Sequence, residues 1–214
     1  MSDEEIINIV ETEFKEKTLK LTQQYLDSHS PVYVGEKLKV ERIDRDRGDE
    51  YVTVYVPIEA QEFYYAVVVD KQKKEFRGIY SESRYRIYFR ATSDELSETD
   101  LISMTSLKPT KSWNKGSLRD NGKTNHIFSM IKFMPFNEPD EFETKLNHLL
   151  DFLETDREGI KKLVEKANGY IQVAIDMHKA SGRGFGLEKE TVERMNKMNL
   201  GIDFDIYLFG NDLS

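Results

Sequence analysis

The sequence predicts an α+β protein in two parts. Residues 1–83 read as an N-terminal helix on an antiparallel β-meander, and residues 84–214 as a ferredoxin-like βαβ-αα-βαβ module. Three observations predict this. Residues 201–209 alternate strictly, with Ile202, Phe204, Ile206 and Leu208 on one side and Asp203, Asp205 and Tyr207 on the other; residues 170–177 keep the same rhythm. A period of two sets one sheet face on a core and leaves the other polar. Residues 187–199 between them have helical character, so the pair closes a strand–helix–strand unit, and the same order recurs from Arg84 to Met134. Before Arg84 the pattern differs: one amphipathic helix, then four short strands punctuated by polar turns.

Taken in order, Ser2 and Glu5 have the spacing of a capping box. Ile7, Val10, Phe14, Leu21 and Tyr25 then recur at helical spacing, which predicts one helix over 3–28. Pro31 follows, and proline biases the residue before it away from helix. Strands are predicted over 32–43, 50–59, 63–70 and 75–80. Arg45-Asp-Arg-Gly-Asp49 forms the charged turn between the first two, with Gly48 free to take positive φ. Ala66-Val-Val-Val69 is apolar on both faces, the mark of a central, covered strand.

In the second part Arg84 to Arg90 is a strand with Tyr85, Ile87 and Phe89 inward and Arg84, Arg86, Tyr88 and Arg90 outward. Ser97 and Asp100 open a short helix ending near Leu107. A polar loop, 108–125, leads to a strand over 126–134. Two helices follow Pro135 and Pro139, over 140–153 and 155–167, the second with a capping box of Thr155 and Glu158. The ferredoxin-like analogy seats the first strand of this module between its third and fourth. That would set Arg84, Arg86 and Arg90 beside Asp176, Asp203 and Asp205.

Composition narrows the function classes. The 214-residue chain carries a formal charge of -8, which argues against general binding to nucleic-acid phosphates. It has no cysteine, so disulfides, cysteine nucleophiles and cysteine zinc sites are excluded. No apolar run approaches the roughly 18 residues of a membrane span, and the acidic start Met1-Ser-Asp-Glu-Glu5 is unlike a secretory leader. A cytoplasmic location without membrane attachment is the expectation. No cofactor is implied.

Several segments of the second part carry a resemblance. These are Ile87-Tyr-Phe-Arg90, Leu107-Lys-Pro-Thr-Lys-Ser-Trp-Asn-Lys-Gly116, Leu146-Asn-His-Leu-Leu-Asp-Phe-Leu153 and Gly201-Ile-Asp-Phe-Asp-Ile-Tyr207. Together, over residues 84–210, they resemble a bacterial family catalogued only as domain of unknown function 4279. The resemblance implies no activity and no catalytic residues. An immunity-type role is its one functional expectation, and the first eighty residues lie outside it.

The candidate sites follow from charge and spacing. The loop 108–125 holds Lys108, Lys111, Lys115, Arg119 and Lys123 against Asp120, together with Trp113, the one tryptophan. Tryptophan among cations is a common interface anchor, and an acidic protein surface or a phosphate would complement it. The bland reading has Trp113 pinning the loop while the lysines are solvated. On the sheet face, Tyr88, Tyr170, Tyr207 and the arginines could stack bases, although Asp203 and Asp205 would repel phosphates. Asp176, Asp203 and Asp205 could hold a hard cation, or could merely neutralise the neighbouring arginines. Gly182-Arg-Gly-Phe-Gly186 precedes a helix but lacks phosphate-loop spacing, and the four histidines show no metal spacing.

The reading that results is a non-enzymatic module binding another protein, in one version an immunity or inhibitor protein of a bacterial toxin. Against a basic nuclease it would steer with Glu138, Asp140, Glu141 and Glu143. The alternatives are a metal-dependent hydrolase or nuclease centred on Asp176, Asp203 and Asp205, and a ligand- or nucleic-acid-binding module on the sheet face.

Overall fold

A computed structural model of the chain describes residues 1–46, 48–180 and 184–212. The first part begins with α1 (Asp3–Glu16), opened by the expected Ser2–Glu5 capping box. The single helix expected over 3–28 is two. Lys17 takes left-handed dihedrals, and the Glu13 carboxylate, bent back into the break, accepts the Thr18 hydroxyl and the Leu19 N–H. The chain restarts as α2 (Lys20–Ser28). The strand expected over 32–43 is likewise divided. Gly35, at φ +64°, turns the chain between β1 (Tyr33–Val34) and β2 (Lys37–Leu38), and β3 (Arg42–Asp44) follows.

β3, β4 (Tyr51–Pro57), β5 (Tyr64–Asp70) and β6 (Glu75–Glu82) form the expected antiparallel meander in chain order. β5 is central, and Ala66, Val67 and Val69 are fully buried. One face packs Val52, Val54, Tyr65 and Val67 against Ile6, Val10 and Phe14 of α1. The other gathers Tyr55, Tyr64 and Ala66, with Tyr80 packed against them.

Ser83 joins β6 directly to β7 (Arg84–Ser93) of a five-stranded sheet. Then come α3 (Glu98–Ser103), β8 (Lys111–Trp113), β9 (Ser129–Phe133), α4 (Phe142–Glu154), α5 (Arg157–Lys166), β10 (Asn168–His178), α6 (Lys189–Lys197) and β11 (Ile202–Phe209). The helices cover one face, where Ile87, Phe89, Ile131, Phe133, Ile171 and Val173 meet Leu146, Leu149, Leu153, Leu163 and Met195. The Thr155–Glu158 box does not form. Thr155 ends α4, and Asp156 caps α5 by accepting the Gly159 N–H at 3.0 Å.

The α+β class stands, with its N-terminal helix and antiparallel strands, but the neighbour order differs from the ferredoxin-like one. It is β11-β10-β7-β9-β8, so β7 lies between β10 and β9, not between β10 and β11. The reason is β8, which the polar composition of 108–125 disguises as loop. β9 is antiparallel to both β7 and β8, so β7 and β8 run the same way. The first strand–helix–strand unit is therefore β7-α3-β8, and β9 returns as a hairpin strand inserted between its ends. β10-α6-β11 is a true parallel crossover with adjacent strands.

The two parts meet at specific polar contacts. Arg42 lies 2.5 Å from Asp140 and donates to the Pro139 carbonyl, while Arg84 pairs with Glu62. Beside the Arg84–Glu62 pair, His29 and His178 pack edge-on with ring centroids 5.2 Å apart, and Phe63 meets His178 at 5.1 Å.

Candidate functional site

Alternation along β7 sends Ile87 and Phe89 under the helices and Arg84, Arg86, Tyr88 and Arg90 to the opposite face. Register decides which charges then meet. Tyr170 on β10, Arg90 on β7, Lys132 on β9 and Lys111 on β8 lie on one line across four strands. Three of the four are cations on successive strands. Like charges directly opposite on a sheet are destabilising, and among the described residues no carboxylate pairs with Arg90 or Lys132.

Aromatic rings hold these cations in place. The Lys132 ammonium sits 4.0 Å from the Tyr88 ring centroid. The Arg90 guanidinium is 5.4 Å from the Tyr170 ring and 5.8 Å from that of Phe128, and its buried Nε has no hydrogen-bond partner. Burial first, then Arg86 and Lys111, depress the Lys132 pKa below the ordinary lysine value. Cation–π contact stabilises a charge but neutralises none of it. The line therefore keeps a net positive field in a protein of charge -8.

The segment 108–125 is an ordered arm. Beyond β8 the chain folds into a hairpin, with Gly116 and Arg119 N–H donating to the carbonyls of His126 and Thr124, and Leu118 bridging Asn125. Trp113 is half-buried at its base, stacked on His126 at 4.2 Å, with its indole N–H donated to the Phe128 carbonyl. Lys111 reaches Asp120 at 2.8 Å, and the Lys115 ammonium donates to the Asp94 carbonyl. Arg119 and Lys123 are exposed, as are Leu118 and Ile127. Trp113 thus fixes the arm's geometry, while the arm presents cations and two apolar side chains.

Of the three aspartates, Asp176 joins the arginines, whereas Asp203 and Asp205 do not. Asp176 is buried, opposite Arg84 in register, and paired with Arg86 at 2.9 Å. Asp203 and Asp205 lie on β11, separated from β7 by β10, and Asp205 accepts from the Gln172 amide at 3.2 Å. Among the described residues no group of three His, Asp or Glu side chains is placed to hold a metal ion. Tyr207 is exposed on β11, two strands away from Tyr88.

Asp140 and Glu143, expected among the acids that steer a basic partner, are occupied. Asp140 is buried against Arg42, and Glu143 accepts the Glu188 N–H and the Thr191 hydroxyl. Part of Gly182–Gly186 lies outside the described residues.

Two features escaped the sequence. Lys132 joins the site only because β9 neighbours β7, and its alternation with Ile131 and Phe133 was the available signal. His29 and His178, 149 positions apart in sequence, had none.

Residues 83–209 match the family described as domain of unknown function DUF4279. The chain belongs to this family. The matched region runs from β7 through β11 and so contains the whole five-stranded sheet, the arm and the cation line. The N-terminal meander lies outside the DUF4279 match. No curated protein and no solved structure matches the chain. No helix among the described residues is long and apolar enough to cross a membrane.

Proposed function

We propose that the chain is a non-catalytic binding module whose cation line and basic arm engage an acidic surface on a partner protein. The observation that carries this reading is the register Arg90–Lys132–Lys111, three like charges on adjacent strands, of which Arg90 and Lys132 have no carboxylate among the described residues. An anionic partner removes that repulsion, so part of the binding energy is repulsion present in the free protein and relieved on binding.

The extent of the line favours a protein over a nucleic acid. It spans two strand spacings, roughly 10 Å. Asp176, Asp203 and Asp205 lie on the strands to one side, and Asp120 and Glu98 flank its other end. A phosphodiester backbone leaving the line in either direction would meet carboxylates. A local cluster of Glu or Asp on a protein would not. The inhibitor role expected from the sequence becomes, in this reading, the case in which the acidic partner is a toxin.

Trp113, the one tryptophan, reports on this site because its hairpin carries Lys111. Titration with an oligoglutamate peptide is expected to change Trp113 fluorescence, with an affinity that falls as salt rises. Lys132→Met and Arg90→Met are each expected to weaken the response at least tenfold. No response, or tighter binding of a single-stranded oligonucleotide than of the peptide, would refute the assignment.

A further inference from the structure

The outer edge of β11 is a separate feature of the same sheet. Of the other edge strands in the two larger sheets, β8 and β3 have three residues each, and β6 has eight but carries Arg77 where its register with β5 shifts. β11 has eight, with no proline, lysine, arginine or bulge among them. Such devices are how natural proteins prevent an edge from recruiting another strand. Its C-terminal half is open on both faces, with Ile206 54%, Tyr207 46% and Leu208 64% exposed.

Hydrogen bonding tells which backbone groups face outward. Ile171 N–H donates to the Gly201 carbonyl and Lys179 N–H to the Phe209 carbonyl, both at 2.9 Å. In a parallel ladder the direction alternates residue by residue. Asp203, Asp205, Tyr207 and Phe209 therefore turn their N–H and C=O groups toward β10. Ile202, Phe204, Ile206 and Leu208 turn theirs to the free edge.

We infer that β11 pairs antiparallel with β11 of a second copy about a two-fold axis at Ile206, joining two five-stranded sheets into one. In this register Ile206 faces its own counterpart and Phe204 faces Leu208. The outward N–H and C=O groups of all three are satisfied reciprocally, with Phe204 N–H exchanging the Asp203 carboxylate, to which it donates at 3.0 Å in the single chain, for the partner strand. On the polar face Asp205 meets the Tyr207 hydroxyl, a donor, so no carboxylate faces another. An axis at Asp205 would set two Asp205 carboxylates against each other. An axis between residues would oppose outward groups to inward ones. The pattern is self-complementary, which an isologous interface requires and a foreign strand does not. The occupant is a second copy of this chain.

The absence of cysteine makes the register directly testable. Hydrogen-bonded antiparallel neighbours have Cα atoms about 5.5 Å apart, within disulfide range. Ile206→Cys is expected to give a covalent dimer on mild oxidation. Ile202→Cys is expected to give none, because its counterpart lies eight positions along the strand, roughly 27 Å away. The wild-type chain is expected to sediment as a concentration-dependent dimer. Ile206→Pro removes an outward N–H without touching the β10 ladder, and Leu208→Lys adds an edge charge; both are expected to sediment as folded monomers by circular dichroism. A wild type that stays monomeric at its highest soluble concentration, equal cross-linking at 202 and 206, or a dimer that survives both variants would overturn the inference.

Discussion

Arg42 and Arg90 stand on strands of two different sheets, each against aromatic rings, and their surroundings differ in one respect. Arg42 is saturated: Asp140 at 2.5 Å, Asp44 at 3.5 Å, the Pro139 carbonyl at 2.9 Å and the Phe136 ring at 5.6 Å. Arg90 has Tyr170 and Phe128 but no carboxylate among the described residues, and a lysine opposite it. The first arginine fastens two parts of the molecule together. The second faces a like charge on the neighbouring strand, the arrangement on which the proposed binding role rests.

The largest break in this comparison comes from Arg42→Ala. It takes the guanidinium from the buried Asp140 carboxylate and is expected to cost about 3 to 5 kcal/mol, read by denaturant unfolding. Lys145, nearby, comes next. Burial lowers its folded pKa to about 8 from 10.5, with Asp140 opposing the fall and Arg84 and Arg42 adding to it. Below pH 8 both folded and unfolded chains hold the proton and the cost is fully present. Between pH 8 and 10.5 the unfolded chain binds more protons, so stability rises with pH. Lys145→Met is expected to flatten that rise, seen as melting temperature against pH.

Asp156 is smaller in effect and opposite in sign. Bonds from Ser106 N–H first, then the Thr105 hydroxyl and Gly159 N–H, hold its pKa near 2, against a desolvation that acts to raise it. Its contribution is complete above the ordinary value of 3.8 and fades as pH falls toward 2. Asp156→Ala is expected to cost about 1 to 2 kcal/mol at neutral pH and nothing extra in strong acid, by chemical denaturation. The least change, and the most telling, belongs to Lys132→Met. It removes a like-charge pair, so stability is expected to rise by roughly 0.2 to 1 kcal/mol while peptide binding falls. A loss of stability instead would make Lys132 a structural residue like Arg42.

The elements were legible where side chains themselves keep time. Phe142, Leu146, Leu149, Leu150 and Leu153 announce α4, and the Ile–Asp alternation of 202–208 announces β11. The breaks were not. Lys17 leaves the helix because Glu13, in the last turn of α1, bonds forward to Thr18 and Leu19 instead of serving the pattern. β8 hid because Lys111-Ser-Trp113 has no apolar rhythm, being an edge strand with one face in solvent. Missing it set β11 where β9 stands beside β7, and with it misplaced the site. The outward arginines were read correctly from alternation. Their partners depended on strand order, which no single strand encodes. Asp176 was found beside them, Asp203 and Asp205 were not, and Lys132 took the vacant side.

The meeting of His29 and His178 has a consequence for how the chain is made. Asn211 N–H donates to His29 Nε2 at 2.8 Å, its carbonyl accepts from His178 Nε2 at 2.9 Å, and Gly210, at φ +88°, lies so close that a methyl group there would strike the His178 ring. The end of α2 is thus completed by residues the ribosome adds some 180 positions later. During synthesis the helix–meander half must wait with its histidine edge bare, and only the arrival of the final strand seals it. Deleting Gly210 and Asn211 would accordingly be felt first at His29, in the helix–meander half.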